Sequence, residues 1–501
     1  MDTHSLLKPI HNKLGEYDTA QLVTLLSVKL HGIEKGSFAD AHLGLPWELL
    51  LLIKWSYEYG GLKYPPKPPS EQVIVQLLNR LREIEGELQA SYLNNGGTVG
   101  LSKFLRTLAF QQFRYQQSFG SWILARSYSL FCELPIDHPL QIAFADATGI
   151  SMVDFLELGF LSWTWLQNFP DSIYYKPNEV FGSSRIDPEV VKLYLKVVSL
   201  EFEDVKNFLR DRPHTVRNPG LQLIEPTPFV RFPIVLLSNQ YLVYSRRLFE
   251  LMLGDLFYDI IKNMGVAGLS EQFGSIFEKY VRQALVACKF RMFDEAELSA
   301  KLHGNKVTDF VLSFNECTVL IEVKSVELRP SVKVYPETKT LVRELQDSVI
   351  KGTLQGLSVA QKLKTSAEGL DISNREKFYL IIITYRDLYL GSGEDVWKEF
   401  LGSAVGSACK NLDIDTNMIP PSNIVIMSIE EFDPLVSILL DKRSTLPSIL
   451  DEMVKSNSDP RTKKLSFWQH YAHLVKKSPK LQYLDEPLAR FYDRVETKLL
   501  S

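Results

Sequence analysis

Apolar side chains recur at helical spacing through most of the first 210 residues. Between Ser70 and about Leu93 the pattern runs through Val73, Val75, Leu77, Leu78, Leu81, Ile84 and Leu88, with Ser70 as N-cap after the stiff PPKPP of 65–69. A second helical stretch is predicted over about 101–132, separated from the first by turn chemistry at NNGG (94–97). A third covers 188–210, where Val190, Val191, Leu193, Tyr194, Val197 and Leu200 carry the period. From 212 to 233 the pattern breaks at Pro213, Pro219, Pro226, Pro228 and Pro233, because each proline removes an N–H donor from any helix. That density predicts a linker at a domain boundary. The sequence PIVLLSNQYLVYS (233–245) then reads as a hairpin around Ser238-Asn239, leading into an apolar helix to about 263.

The period changes again beyond that point. A helix from Ser270 to about Cys288 precedes short apolar runs at 289–293, 306–314 and 317–326. A long helix follows at 338–365, then strands at 378–385 and 423–428. The order αβββαββ describes a mixed sheet flanked by helices. The expected chain is an α+β/α/β multidomain protein in four parts. They are an all-helical region (1–211), a Pro-rich linker, hairpin and helix (212–264), a mixed-sheet domain (265–430) and a helical, mildly basic C-terminal extension (431–501).

Composition narrows the class. The 501 residues are 45% hydrophobic and 23% charged, the balance of a soluble globular protein. With 56 Lys and Arg against 60 Asp and Glu, the net charge is -4, so attraction to nucleic acid must come from a local patch. Cys132, Cys288, Cys317 and Cys409 are far apart with no CxxC, which predicts reduced thiols and no structural zinc. The N-terminus lacks signal-peptide character. The most apolar runs, LLLLI (49–53) and YLIIIT (379–384), are too short to span a bilayer, so a cytoplasmic protein without membrane association is expected.

Candidate chemistry concentrates in VTDFVLSFNECTVLIEVKSV, residues 307–326. In a strand here Val319, Ile321 and Val323 share one face while Leu320, Glu322 and Lys324 share the other. Asp309 lies in the preceding strand, close enough in a hairpin to sit beside Glu322. Burying such charges among valines and isoleucines is costly unless they pair or hold a cation. A Glu–Lys cross-pair on an exposed sheet face is the alternative reading of the same residues. Other DxK or ExK tripeptides occur at Asp204-Val-Lys206, Glu337-Thr-Lys339 and Glu496-Thr-Lys498, but none lies in an apolar strand after an acid-bearing one.

Asp309 followed by Glu322-Val323-Lys324 resembles the signature of the PD-(D/E)XK, restriction-endonuclease-like nuclease superfamily, with Thr308 where the name-giving proline stands. FGSIFEKYVRQAL (273–285) is similar to the superfamily's first helix, and the likeness covers about 265–430. It implies a magnesium site, with manganese as substitute, formed by Asp309, Glu322, the carbonyl of Val323 and Glu278. Lys324 is implied as the residue acting on the attacking water, and Gln355 resembles a glutamine of the exonuclease-like branch. The implied activity is hydrolysis of phosphodiesters, in DNA ahead of RNA and by an endonuclease ahead of an exonuclease, in restriction or defence against foreign DNA. A catalytically inactive scaffold of the same fold is the alternative.

Substrate attraction is expected along Lys339, Arg343, Lys351, Lys362 and Lys364, extended by the basic C-terminal segment. Residues 1–211 are expected to control the nuclease or to bind a protein partner or nucleic acid, with a passive scaffold covering one face of the sheet as the alternative, and an oligomer is compatible with this layout. Two further motifs read as structural. His470 and His473 share a helix face without further ligands nearby. The run FQQFRYQQSF (110–119) offers stacking and hydrogen-bonding groups but fits an amphipathic core helix better.

Overall fold

The computed structural model describes residues 3–35, 44–115, 120–182, 184–211, 219–264, 268–302, 307–334, 337–365, 370–475 and 481–500. The chain is mostly helical with two mixed sheets, an α+β protein. It forms two compact units, one of Met1–Val266 with Lys333–Tyr335 and Pro487–Ser501, the other of Ala267–Val332 with Pro336–Glu486. No helix among the described residues is long and apolar enough to cross a membrane.

In the first unit the helix Pro46–Tyr59 is apolar around its circumference, and Leu49, Leu50, Leu51, Leu52, Ile53 and Trp55 are all buried. A helix of that kind must run through a core, and it packs against Thr19–Lys35 through Leu22, Val23, Leu26 and Leu30. Region 1–211 is not all-helical as expected. Strands β1 (Tyr174–Tyr175), β2 (Ser199–Glu201), β3 (Ile234–Leu237) and β4 (Gln240–Val243) form a sheet in the order β1-β4-β3-β2, with β2 parallel to β3 and the other pairs antiparallel. Two- and three-residue strands are too short to show a period of two, so the helical reading of 188–210 absorbed β2. The hairpin β3–β4 does turn at Ser238 and Asn239, with φ of 49° and 63°, as its type of tight turn requires.

Two more expectations need correction. The helix Glu71–Gln112 runs unbroken through NNGG. Each glycine there costs a helix about 1 kcal/mol, which the helical turns on both sides outweigh. The Pro-rich segment is not a bare linker, although 212–218 lie outside the described residues. Leu223 and Phe229 are buried in the core of this unit, and Glu225 pairs with the buried Lys54 at 2.7 Å. Proline rules out a helix interior but not the first position of a short turn, as in the helix Pro219–Gln222, nor the burial of side chains from irregular chain.

The second unit carries the sheet β5-β6-β7-β8-β9, formed by Met292–Asp294, Phe310–Ser313, Thr318–Lys324, Phe378–Thr384 and Ile424–Ser428. β5, β6 and β7 pair antiparallel in succession, and β7, β8 and β9 pair parallel. β8 is buried along its whole length, as a strand covered on both faces must be. Ile321, Ile381, Ile383 and Met427 meet Leu285 of the leading helix Leu269–Ala287 and Leu435 of Ile429–Leu440. The helix Lys351–Thr365 covers the other face, where Gly356 comes so near Leu380 that a Cβ would stand 2.8 Å from its Cδ1. A π-helical turn, Gln346–Ile350, precedes this helix.

The C-terminal extension divides between the units. Residues to Glu486 belong to the second, where Tyr280 and Tyr483 each donate to the buried Asp433 at 2.8 Å. Phe491, Arg494 and Lys498 of the last helix pack within the first. The Phe491 ring lies 5.4 Å from Phe160, Arg494 donates to Glu157 at 2.7 Å and Lys498 to Asp154 at 2.7 Å. These two cations are engaged by acids of their own unit.

Candidate metal centre

Strand pairing assembles the site. Phe310 is paired with Ile321, and continuing the antiparallel register by one residue sets Asp309 opposite Glu322. The backbone N–H of Val323 donates to Asp309 Oδ2 at 2.6 Å, which ties the acid to the neighbouring strand end. Lys324, two residues after Glu322, lies on the same face, and its ammonium contacts the Glu322 carboxylate directly. Gly352 of the helix Lys351–Thr365 lies over the pair, where an added Cβ would stand at ordinary contact distance, 3.4 Å from Lys324 Cε and 3.5 Å from Glu322 Cβ.

Glu322 is 0% exposed, and its Oε1 has no hydrogen-bond partner among the described residues. An ionised carboxylate left in that state is expensive. Burial pushes its carboxyl well above the ordinary range, the Asp309 charge adds to the rise, and Lys324 opposes it. Asp309 is likewise raised, chiefly by burial, against the pull of Lys324 and the Val323 N–H. Burial would lower Lys324, but Glu322, Asp309 and Glu278 outweigh it and hold the ammonium above its ordinary value. Acids and base all shifted upward describe a cluster short of positive charge.

Glu278, from the leading helix, joins the cluster. Its carboxyl is raised to about 6 by burial and then by Asp309 and Glu295. One carboxylate oxygen each from Glu278, Glu295 and Asp309 lie within 4.8 Å of one another. Glu295 opens the short helix Glu295–Leu302 after β5 and was missed by sequence reasoning. Its one local signal is the acidic pair Asp294-Glu295 at the end of an apolar run, and Asp294 is engaged by Arg282 at 3.1 Å. Oxygen ligands of this kind suit a hard divalent cation. The donor set and the uncompensated Glu322 oxygen fit such an ion.

The other expected residues have identifiable places. Gln355 donates through Nε2 to the Val307 carbonyl at 3.1 Å, so it clamps the segment entering Asp309, while its buried Oε1 has no partner among the described residues. Thr308 is buried, its hydroxyl also without a partner there. Val323 engages Asp309 through its backbone N–H. Lys339, Arg343 and Lys351 are exposed, whereas Lys364 is paired with Glu376 at 2.8 Å.

The remaining candidates are structural. His470 is buried beside Phe467, and burial pulls its imidazole down to about 4. Within 110–119, Gln111 donates to the Leu223 carbonyl at 2.6 Å and Arg114 pairs with Asp255, while 116–119 lie outside the described residues. Compared with protein-family models, with curated proteins and with solved structures, the chain matches none.

Proposed function

We propose that the second unit is a magnesium-dependent nuclease that hydrolyses phosphodiester bonds in DNA. The observation that carries this reading is the meeting of Asp309, Glu278 and Glu295 within 4.8 Å of one another next to the Glu322–Lys324 pair, with a buried Glu322 oxygen left without a hydrogen-bond partner among the described residues. Asp309, Glu278 and Glu295 would hold the ion, with Glu322 completing its charge from beneath. When bound, the ion supplies Lewis-acid polarisation of a phosphoryl oxygen and a lower pKa for the attacking water.

The chain's own groups do the rest. Lys324 carries a positive charge on the face of the acids, where it orients the water and stabilises charge developing on the phosphoryl group. The Val323 N–H and Gln355 hold Asp309 and the segment before it in place, as positioning groups. Lys351, exposed at the start of the covering helix and within the field of Asp309, offers local positive charge to a phosphate backbone that the overall charge of the chain does not attract.

Supercoiled, linear and single-stranded DNA, and RNA, incubated with magnesium, manganese or EDTA, test the reading. Cleavage that needs the metal and disappears in Asp309→Asn supports it. Preference for RNA overturns the substrate assignment, and no cleavage of any substrate leaves the fold as a scaffold and sinks the proposal.

A further inference from the structure

Within the first unit, a cavity of about 300 Å³ opens beside the start of the helix Arg246–Asn263. Ile33, Leu45 and Pro46 give it apolar wall, and Tyr115, Gln167, Glu34, Arg246, Arg247 and Glu250 give it polar wall. Most of the charged groups are already committed. Arg247 donates twice to the Arg114 carbonyl, at 3.0 and 2.6 Å, and once to Glu250 at 2.9 Å. Glu250 also accepts from Trp163 Nε1 at 3.2 Å and Gln167 Nε2 at 3.0 Å. Glu34 accepts from the backbone N–H of Arg246 at 3.1 Å and from the Ser245 hydroxyl, so its charge serves the start of the helix.

Two groups are left over. The Arg246 side chain is only 14% exposed, and its Nε lies 3.8 Å from Glu34, beyond hydrogen-bonding distance. That Nε is buried with no hydrogen-bond partner among the described residues. A guanidinium cannot shed its charge, so burying one of its N–H groups without an acceptor is costly. Beside it stands Tyr115, whose ring lies 6.3 Å from that of Trp47.

We propose that this cavity binds a flat-ringed organic anion of mononucleotide size, with its anionic group on the Arg246 guanidinium and its ring against Tyr115. An arginine on a cavity wall with a buried N–H that lacks an acceptor suits a carboxylate or phosphate, the acceptors that match a guanidinium two bonds at a time. The apolar wall and the aromatic ring call for a flat hydrophobic body rather than a bare ion. The volume is at the small end of ligand pockets, about 300 Å³, which admits one nucleotide and not a polyphosphate or an oligomer.

Isothermal titration of the full-length protein tests this with adenosine and guanosine monophosphates, their cyclic forms, inorganic phosphate and benzoate. The expected result is saturable binding of at least one mononucleotide, at least tenfold tighter than phosphate or benzoate. That binding should persist in EDTA and in Asp309→Asn, which separates it from the acidic cluster. Arg246→Met should weaken it at least tenfold. Leu45→Trp, which fills the cavity and leaves every charged group in place, should do the same and decides the matter if the arginine variant does not fold. Absence of saturable binding by all four mononucleotides, binding that survives Leu45→Trp, or phosphate bound as tightly as the nucleotides overturns the proposal.

Discussion

The crowding of Glu278, Asp309 and Glu322 should make the metal-free protein lose stability as the pH rises, and magnesium should reverse the loss. A carboxyl whose pKa is raised in the fold contributes stability that is present below its unfolded value and disappears as the pH climbs through the folded one. For Glu278 that window runs from 4.5 through about 6, and Asp309 and Glu322 act in the same direction. The rise at Glu278 is equivalent to about 2 kcal/mol for a fully sheltered group, and to about 1 kcal/mol once the solvent reaching this half-buried side chain is allowed for. An ion at about 100 times its Kd returns about 2.7 kcal/mol. At roughly 2–4 °C per kcal/mol for a unit of this size, that is a rise in Tm of about 5–10 °C. Calorimetry with EDTA or magnesium at about pH 5 and about pH 8 reads it directly. The magnesium increment should be several-fold larger at the higher pH, because at the lower one protons hold the sites the ion needs. Asp309→Asn should remove it. An increment equal at both pH values, or intact in Asp309→Asn, would refute the assignment of these acids to one cation site.

Lys324→Ala should reduce cleavage by at least about 100-fold while keeping the magnesium-dependent rise in Tm, which separates the lysine's work on the water from the acids' work on the ion. Glu295→Ala, at an exposed position, should leave the metal-free Tm unchanged and weaken magnesium binding about tenfold, as calorimetric titration would show. Gly356→Ala drives a Cβ to 2.8 Å from Leu380 Cδ1 in a fully buried strand, so chemical denaturation should show a loss of about 1–3 kcal/mol. Gly352→Ala meets Lys324 and Glu322 at ordinary contact distances and should cost far less by the same measurement.

Much of the second unit could be read without coordinates. Period two over 317–326 and the continuous apolar run 378–384 give β7 and β8 directly, because a side-chain period and unbroken hydrophobicity are local properties. The same alternation puts Glu322 and Lys324 on one face and, with a hairpin, Asp309 beside them. Glu295 was not legible, since its membership in the cluster depends on where the turn after β5 delivers an exposed acid, which no nearby period encodes. The first unit was misread for a related reason. β1 and β2 contribute two and three residues to a sheet whose partners lie up to some tens of residues away, and the prolines of 219–233 announce the absence of a long helix without announcing a core. Sequence alone therefore determined the alternation, the breaks and the chemistry available on each strand face. Which of those faces meet, which acids remain uncompensated and which arginine is left without an acceptor were decided only by tertiary structure. Burial and hydrogen-bond satisfaction belong to groups brought together from distant parts of the chain.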